Sequence, residues 1–120
     1  MEKSITTDIS NGLTAYKEGQ LFDEKSKHCE AVDCFTRAIS SGYSNTNVYI
    51  QRGCSLQILN LHEPAIQDFS KAISHRPDDC NSFFLRSVSY YKTGVVAGAI
   101  LDIKKAIILS LADTEINDEY

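Results

Sequence analysis

Three short strings decide how this chain folds: Phe35-Thr36-Arg37-Ala38-Ile39, Phe69-Ser70-Lys71-Ala72-Ile73 and Ile103-Lys104-Lys105-Ala106-Ile107. They begin 34 residues apart and then 34 again. Further positions keep the same phase: Ala31-Val32, Ala65-Ile66 and Ala99-Ile100; Gly19, Gly53 and Ser87; Phe22, Leu56 and Tyr90; Ala15, Tyr49 and Phe83. No insertion or deletion separates the copies. A fixed period of this length marks an architecture in which one supersecondary unit recurs and its neighbours share a continuous core.

Each copy reads as two amphipathic helices. In the second helix of copy one, Ala31, Val32, Phe35, Ala38 and Ile39 fall at offsets 0, 1, 4, 7 and 8, one face of an α-helix. The other copies repeat this with Ala65, Ile66, Phe69, Ala72, Ile73 and with Ala99, Ile100, Ile103, Ala106, Ile107. Arg37, Lys71 and Lys105 fall off that face and are expected in solvent. The first helices carry Ala15–Gly19–Phe22, Tyr49–Gly53–Leu56 and Phe83–Ser87–Tyr90. A Gly inside a helix costs about 1 kcal/mol against Ala, so close approach of the partner helix is the expected compensation. Helix ends agree with this division. Asn45 and Asp79 suit N-caps, Gly42 and Pro77 suit positions just past a helix, and Pro64 suits a first turn.

Composition narrows the function. The chain has 120 residues, with 12 Lys plus Arg against 16 Asp plus Glu, and its net charge of −4 argues against holding nucleic acid by neutralising phosphates. Six Gly and two Pro are too few for a turn-dense all-β fold. The longest apolar run, Val95 to Leu101, is far short of the roughly 18 residues a membrane span needs. The N-terminus has no apolar secretory core. The cysteines at 29, 34, 54 and 80 form no CxxC pair, so they read as reduced thiols of a cytoplasmic protein and not as a metal knuckle.

The 34-residue period, the small residue in the first helix with an aromatic or Leu three later, and the Ala, aromatic and Ala of the second helix resemble the tetratricopeptide repeat (TPR). The string Tyr49-Ile50-Gln51-Arg52-Gly53 and Pro77 make copy two the best match. Copy three departs with Ser87 for Gly and Ile103 for Phe, and the charged turn of copy one, Asp23 to Lys27, lacks the usual Gly. The resemblance implies an all-α, right-handed α–α superhelix, a solenoid of three helix-turn-helix units. Its domain would span residues 12–113 (12–45, 46–79, 80–113), after a flexible segment 1–11 and before a short acidic tail 114–120. The first helices would line a concave groove that binds extended peptides or single helices. No catalytic chemistry is implied, so no enzyme, cofactor or metal is expected.

The resemblance places Tyr16, Lys17, Gln20, Asn47, Ile50, Gln51, Cys54, Asn81, Phe84, Leu85 and Val88 in that groove. TPR domains that hold the acidic tail of large heat-shock chaperones use a cluster of Lys, Asn, Asn, Lys and Arg. The matching residues here are Tyr16, Gln20, Gln51, Asn81 and Leu85, and no cation remains to orient a terminal carboxylate. The expected ligand is instead a protein segment with apolar anchors, and the expected role is that of an adaptor or scaffold. A small secretion or assembly chaperone that shields an apolar client segment is the alternative.

Other constellations are weaker. His28 and His62 share one phase of successive copies and suit a solvent-facing or capping role. The acid pairs Asp23-Glu24 and Asp78-Asp79 fall in turns, where solvated or capping carboxylates belong. Cys54 has no His or Asp placed to activate it. The last helix carries Ile107, Ile108, Leu109 and Leu111, and the residues after it are too few for a solvating helix of their own. Ile108, Leu109, Leu111 and Ile116 are therefore expected to form a self-association or docking face, which would allow a homodimer through that end, unless Ile116 and Tyr120 fold back as a partial cap.

Overall fold

A computed structural model describes the backbone of residues 5–118 and the side chains of residues 10–113. It has six helices: α1 (Ile5–Glu24), α2 (His28–Ser40), α3 (Thr46–Ile58), α4 (His62–His75), α5 (Cys80–Lys92) and α6 (Val96–Asp118). No strand occurs among the described residues. They pair as α1–α2, α3–α4 and α5–α6, and each pair stacks on the next through α2–α3 and α4–α5. The overall extents are 52 × 38 × 26 Å. The radius of gyration, 16.1 Å, exceeds the roughly 14 Å of a globular chain of this length, as a stack should.

The Gly and aromatic positions predicted to meet do meet. A Cβ on Gly19 would stand 2.6 Å from the Phe35 ring, and one on Gly53 would stand 2.6 Å from the Phe69 ring. Both rings are fully buried. Only the missing side chain lets the second helix come this close, which explains a Gly in mid-helix. Ser87 stands at the same position of α5, where α6 offers Ile103 instead of a Phe ring. The turns inside the pairs obey one rule. Ser26, Asn60 and Gly94, again 34 apart, all hold left-handed φ of 59°, 63° and 83°. The charged first turn thus makes the same bend without Gly, at a cost of about 1 kcal/mol.

Helix ends follow the sequence with one change. The Asn45 side chain accepts from the Val48 backbone N–H at 3.1 Å, and Gly42 has φ +93° just beyond α2. Asp79 stands at the N-cap of α5, but its carboxylate accepts from the Ser82 hydroxyl at 2.6 Å and from no backbone N–H of the first turn.

The terminal segments are less separate than the repeat phase implies. α1 already runs through residues 5–11, because nothing there breaks a helix, and Gly12 packs tightly on Tyr43. At the other end α6 continues through residues 114–118, so most of the expected tail is helix. Thr114 to Asp118 include neither Pro nor Gly to stop it.

Candidate functional site

The first helices touch one another in succession, which makes them the inner wall of the stack. Gln51 of α3 donates through Nε2 to the Tyr16 hydroxyl at 2.5 Å, and Gln20 donates to the same oxygen at 3.2 Å. Gln57 of α3 donates to the Leu85 carbonyl of α5 at 2.6 Å and to the Ser89 hydroxyl at 2.9 Å.

The predicted groove residues divide into three groups. Tyr16, Gln20 and Gln51 form the hydrogen-bonded cluster just described. Burial pushes the Tyr16 phenol up; the Gln51 hydrogen bond opposes this and the neighbouring Tyr43 adds to it. Cys54 and Leu85 pack on the core of Leu56, Ala65 and Phe69. Burial pushes the Cys54 thiol up, and the Asp23 carboxylate adds to the effect. The third group is open: Phe84 and Asn81 are exposed, and Ile50 and Val88 are half-buried. Asn47 is exposed and accepts from the Arg76 guanidinium at 3.0 Å, while Lys17 points to solvent.

Phe84 and Val88 also border a second surface, formed with α6. One shallow pocket of about 400 Å³ is lined by Cys80, Asn81, Phe84, Ile103, Ala106, Ile107, Ser110 and Leu111. Beside it another of about 350 Å³ is lined by Phe84, Ser87, Val88, Tyr91, Val96, Ala99, Ile100 and Ile103. The helical periodicity assigns Ile100, Ile103 and Ile107 to the buried face of the last helix. The structure exposes all three. Among the described residues of α6 only Ala99, Asp102 and Ala106 are buried, in its contact with α5. The equivalent Phe35 and Phe69 are buried because a following helix pair also covers them. Among the predicted docking residues, Ile108 and Leu111 are exposed, Leu109 is half-buried, and the side chain of Ile116 lies outside the described residues, as does Tyr120.

Two recurring polar clusters escape a reading made on apolar phase. Arg52 forks onto Asp68 at 2.8 and 2.7 Å and reaches Thr36 of the preceding pair at 3.2 Å. Arg86 repeats this with Asp102 at 2.7 and 2.8 Å and with Ser70 at 3.0 Å. The Asp hydrogen bonds hold both guanidinium groups charged above their ordinary range, against the opposing effect of burial. The first pair has Glu18 and Cys34 at these places and lacks the clasp. The second cluster corrects two expectations. His28 and Asp23 are neither solvent-facing nor free: His28 Nδ1 bonds Asp23 at 2.9 Å, and Asp23 accepts from the Ser55 hydroxyl of the next pair at 2.8 Å. His62 Nδ1 shares a 3.0 Å hydrogen bond with the Ser89 hydroxyl at the next junction. The signal for both clusters is the 34-residue spacing of Arg52 and Arg86, Asp68 and Asp102, and Ser55 and Ser89.

Among the described residues no three His, Cys, Asp or Glu are grouped to hold a metal ion, and no helix is long and apolar enough to cross a membrane. All four cysteines are free, with Cys29 exposed and Cys34 buried.

This chain folds as a tetratricopeptide-repeat solenoid, all-α and built of three stacked helix pairs, a protein-interaction fold. It is similar to the second TPR domain of Spaghetti (RPAP3) bound to the HSP90 peptide SRMEEVD. That match has a TM-score of 0.78 at 20% identity and covers 86% of this chain and 95% of that one. The Arabidopsis OM64 TPR domain matches at TM-score 0.79 and 20% identity, covering 85% and 84%. MamA matches at TM-score 0.83 and 21% identity over 92% of this chain, which spans only 65% of MamA. No protein-family model matches the sequence, and no curated protein aligns with it.

Proposed function

We propose that this chain is an adaptor, with residues 12–113 as its binding domain. It would hold a peptide or helix of another protein along the inner wall of α1, α3 and α5. The observation that carries this is the gradient along that wall. Its first part is polar, with the Tyr16 hydroxyl accepting from Gln20 and Gln51. Its last part is apolar, where Phe84 is 56% exposed and adjoins half-buried Val88. An exposed aromatic side chain that the helix pair does not need for its own packing is the usual anchor point of an interface. Lys17, Asn47, Ile50, Cys54, Asn81 and Leu85 complete the wall.

An acidic chaperone tail does not suit this wall. The RPAP3 domain holds SRMEEVD. Here Gln20 and Gln51 are donors to Tyr16, and the remaining positions of the cluster are the amide Asn81 and the apolar Leu85, with no cation among them. The four free thiols suit a reducing, cytoplasmic setting.

Selection of peptides from a random display library tests the proposal. Bound peptides are expected to carry at least two Leu, Ile, Val or aromatic anchors and to lose about tenfold or more in affinity to a folded Phe84→Lys variant. SRMEEVD is expected not to bind. Selected peptides that bind Phe84→Lys equally well, or micromolar binding of SRMEEVD, would overturn the proposal.

A further inference from the structure

The two ends of the stack differ in kind. From Ser10 to Glu24 the exposed residues of α1 are Ser10, Asn11, Thr14, Lys17, Glu18, Leu21 and Glu24, so only one of them is apolar. α2 likewise shows solvent only Cys29, Glu30, Asp33, Thr36, Arg37 and Ser40. At the far end, Ile100, Ile103, Ile107 and Leu111 form one exposed stripe along α6, facing Phe84 and Tyr91 of α5. Next to this stripe on the same helix stand Leu101 and Ile108, both exposed. Lys104 lies between them, and a lysine can lay its stem on apolar surface while its amine stays in water.

The polar grip of the inner junctions is also missing here. Asp23 with His28, and Gln57 with His62, close on a serine of the next pair. One repeat later the same positions are Tyr91 and Val96. This end is therefore not shaped to receive a further repeat with a serine at that place.

From these observations we infer that the α5–α6 face is an interface with a second copy of this chain, joined tail to tail about a two-fold axis. Three points favour a second copy. The stripe, Phe84 and Tyr91 are six large side chains each between 42% and 67% exposed, a contiguous apolar patch of the kind that marks an interface. The slot between α5 and α6, lined by Phe84, Ile103 and Ile107, suits a helix with a broad apolar face. α6 has one, so each copy supplies both a slot and the helix that fills the other's slot, as an isologous contact requires. Among the described side chains the first end is polar from Ser10 on and offers no match to this face, so head-to-tail stacking into a filament is disfavoured and the pair closes. The inference stands apart from the groove proposal, with which it shares Asn81, Phe84 and Val88.

Sedimentation velocity of the full chain from about 1 to 100 µM tests it. The wild type is expected to move from monomer to dimer in this range or to be a dimer throughout. Ile107→Glu is expected to sediment as a monomer with unchanged circular dichroism. Leu111→Glu, nearer the end of α6, provides a second disruption if the first variant unfolds. Leu21→Glu at the polar end is expected to dimerise like the wild type. A wild type monomeric to the top of the range, or a dimer that survives both α6 variants, would overturn the inference. So would a dimer lost in Leu21→Glu.

Discussion

The junction between the second and third helix pairs and the open face of the third pair carry the same sequence positions in opposite circumstances. At the junction Phe69 is 0% exposed, pressed on Gly53 and covered by the pair that follows. At the open face Ile103, one period later, is 42% exposed. The apolar stripe of a second helix therefore has two uses. Its alanines and the inner edge of its large residues seat the helix on its own partner, and the large residues also meet the next neighbour. Where no neighbour follows, only the alanines are buried.

The largest test of this contrast is a pair of truncations. Phe69→Ala is expected to destabilise the fold by about 3–5 kcal/mol in urea unfolding, because it removes a fully buried ring and leaves a cavity. Ile103→Ala is expected to cost well under half as much in the monomer, since much of its side chain is already in water. Equal losses would mean that the third pair is as fully packed as the second. The next test concerns the clasps. Arg52→Met leaves Asp68, 4% exposed, as a buried charge without its partner, and is expected to cost about 3 kcal/mol. Arg52→Met combined with Asp68→Leu should recover most of the loss, as the clasp-free first pair implies. A double variant no better than the single one would sink that expectation.

The smallest effect concerns pH and the half-buried Cys54 and Tyr16. Burial raises both groups in the fold, so the unfolded chain loses these protons first. Stability should therefore decline as pH rises past the ordinary thiol and phenol values, and should be insensitive to these two groups below them. Thiol labelling at mild pH should modify exposed Cys29 well before Cys54. Faster labelling of Cys54 would mean that the junction beneath it opens freely.

Most of the fold is legible in the sequence because the repeat states the same instruction three times. The Gly19–Phe35 and Gly53–Phe69 contacts, the Asn45 cap and the bend after α2 all follow from residue type and phase. The repeat phase says nothing about what stands beyond the last copy. Ile100, Ile103 and Ile107 have the pattern of a core stripe, and only the three-dimensional stack reveals that no pair covers them. The polar clusters were legible in principle, since their members also recur at 34 residues. A search by apolar character passes over Arg52, Asp68 and Ser55 because such residues belong on a surface unless partnered. The groove is the least legible part. Whether Leu85 and Cys54 face a ligand or a neighbouring helix depends on how closely α3 and α5 approach, and no single helix encodes that distance.

The polar fastenings at each junction join a new pair to partners that precede it in the chain. Arg52 reaches Thr36, Arg86 reaches Ser70, Ser55 reaches Asp23, and Ser89 meets Gln57 and His62. A chain made on a ribosome emerges N-terminus first. Each new pair thus meets partners already made: Asp23, Gln57 and His62 stand in an earlier pair and engage a serine of the next. The stack can be assembled in the order in which it is translated.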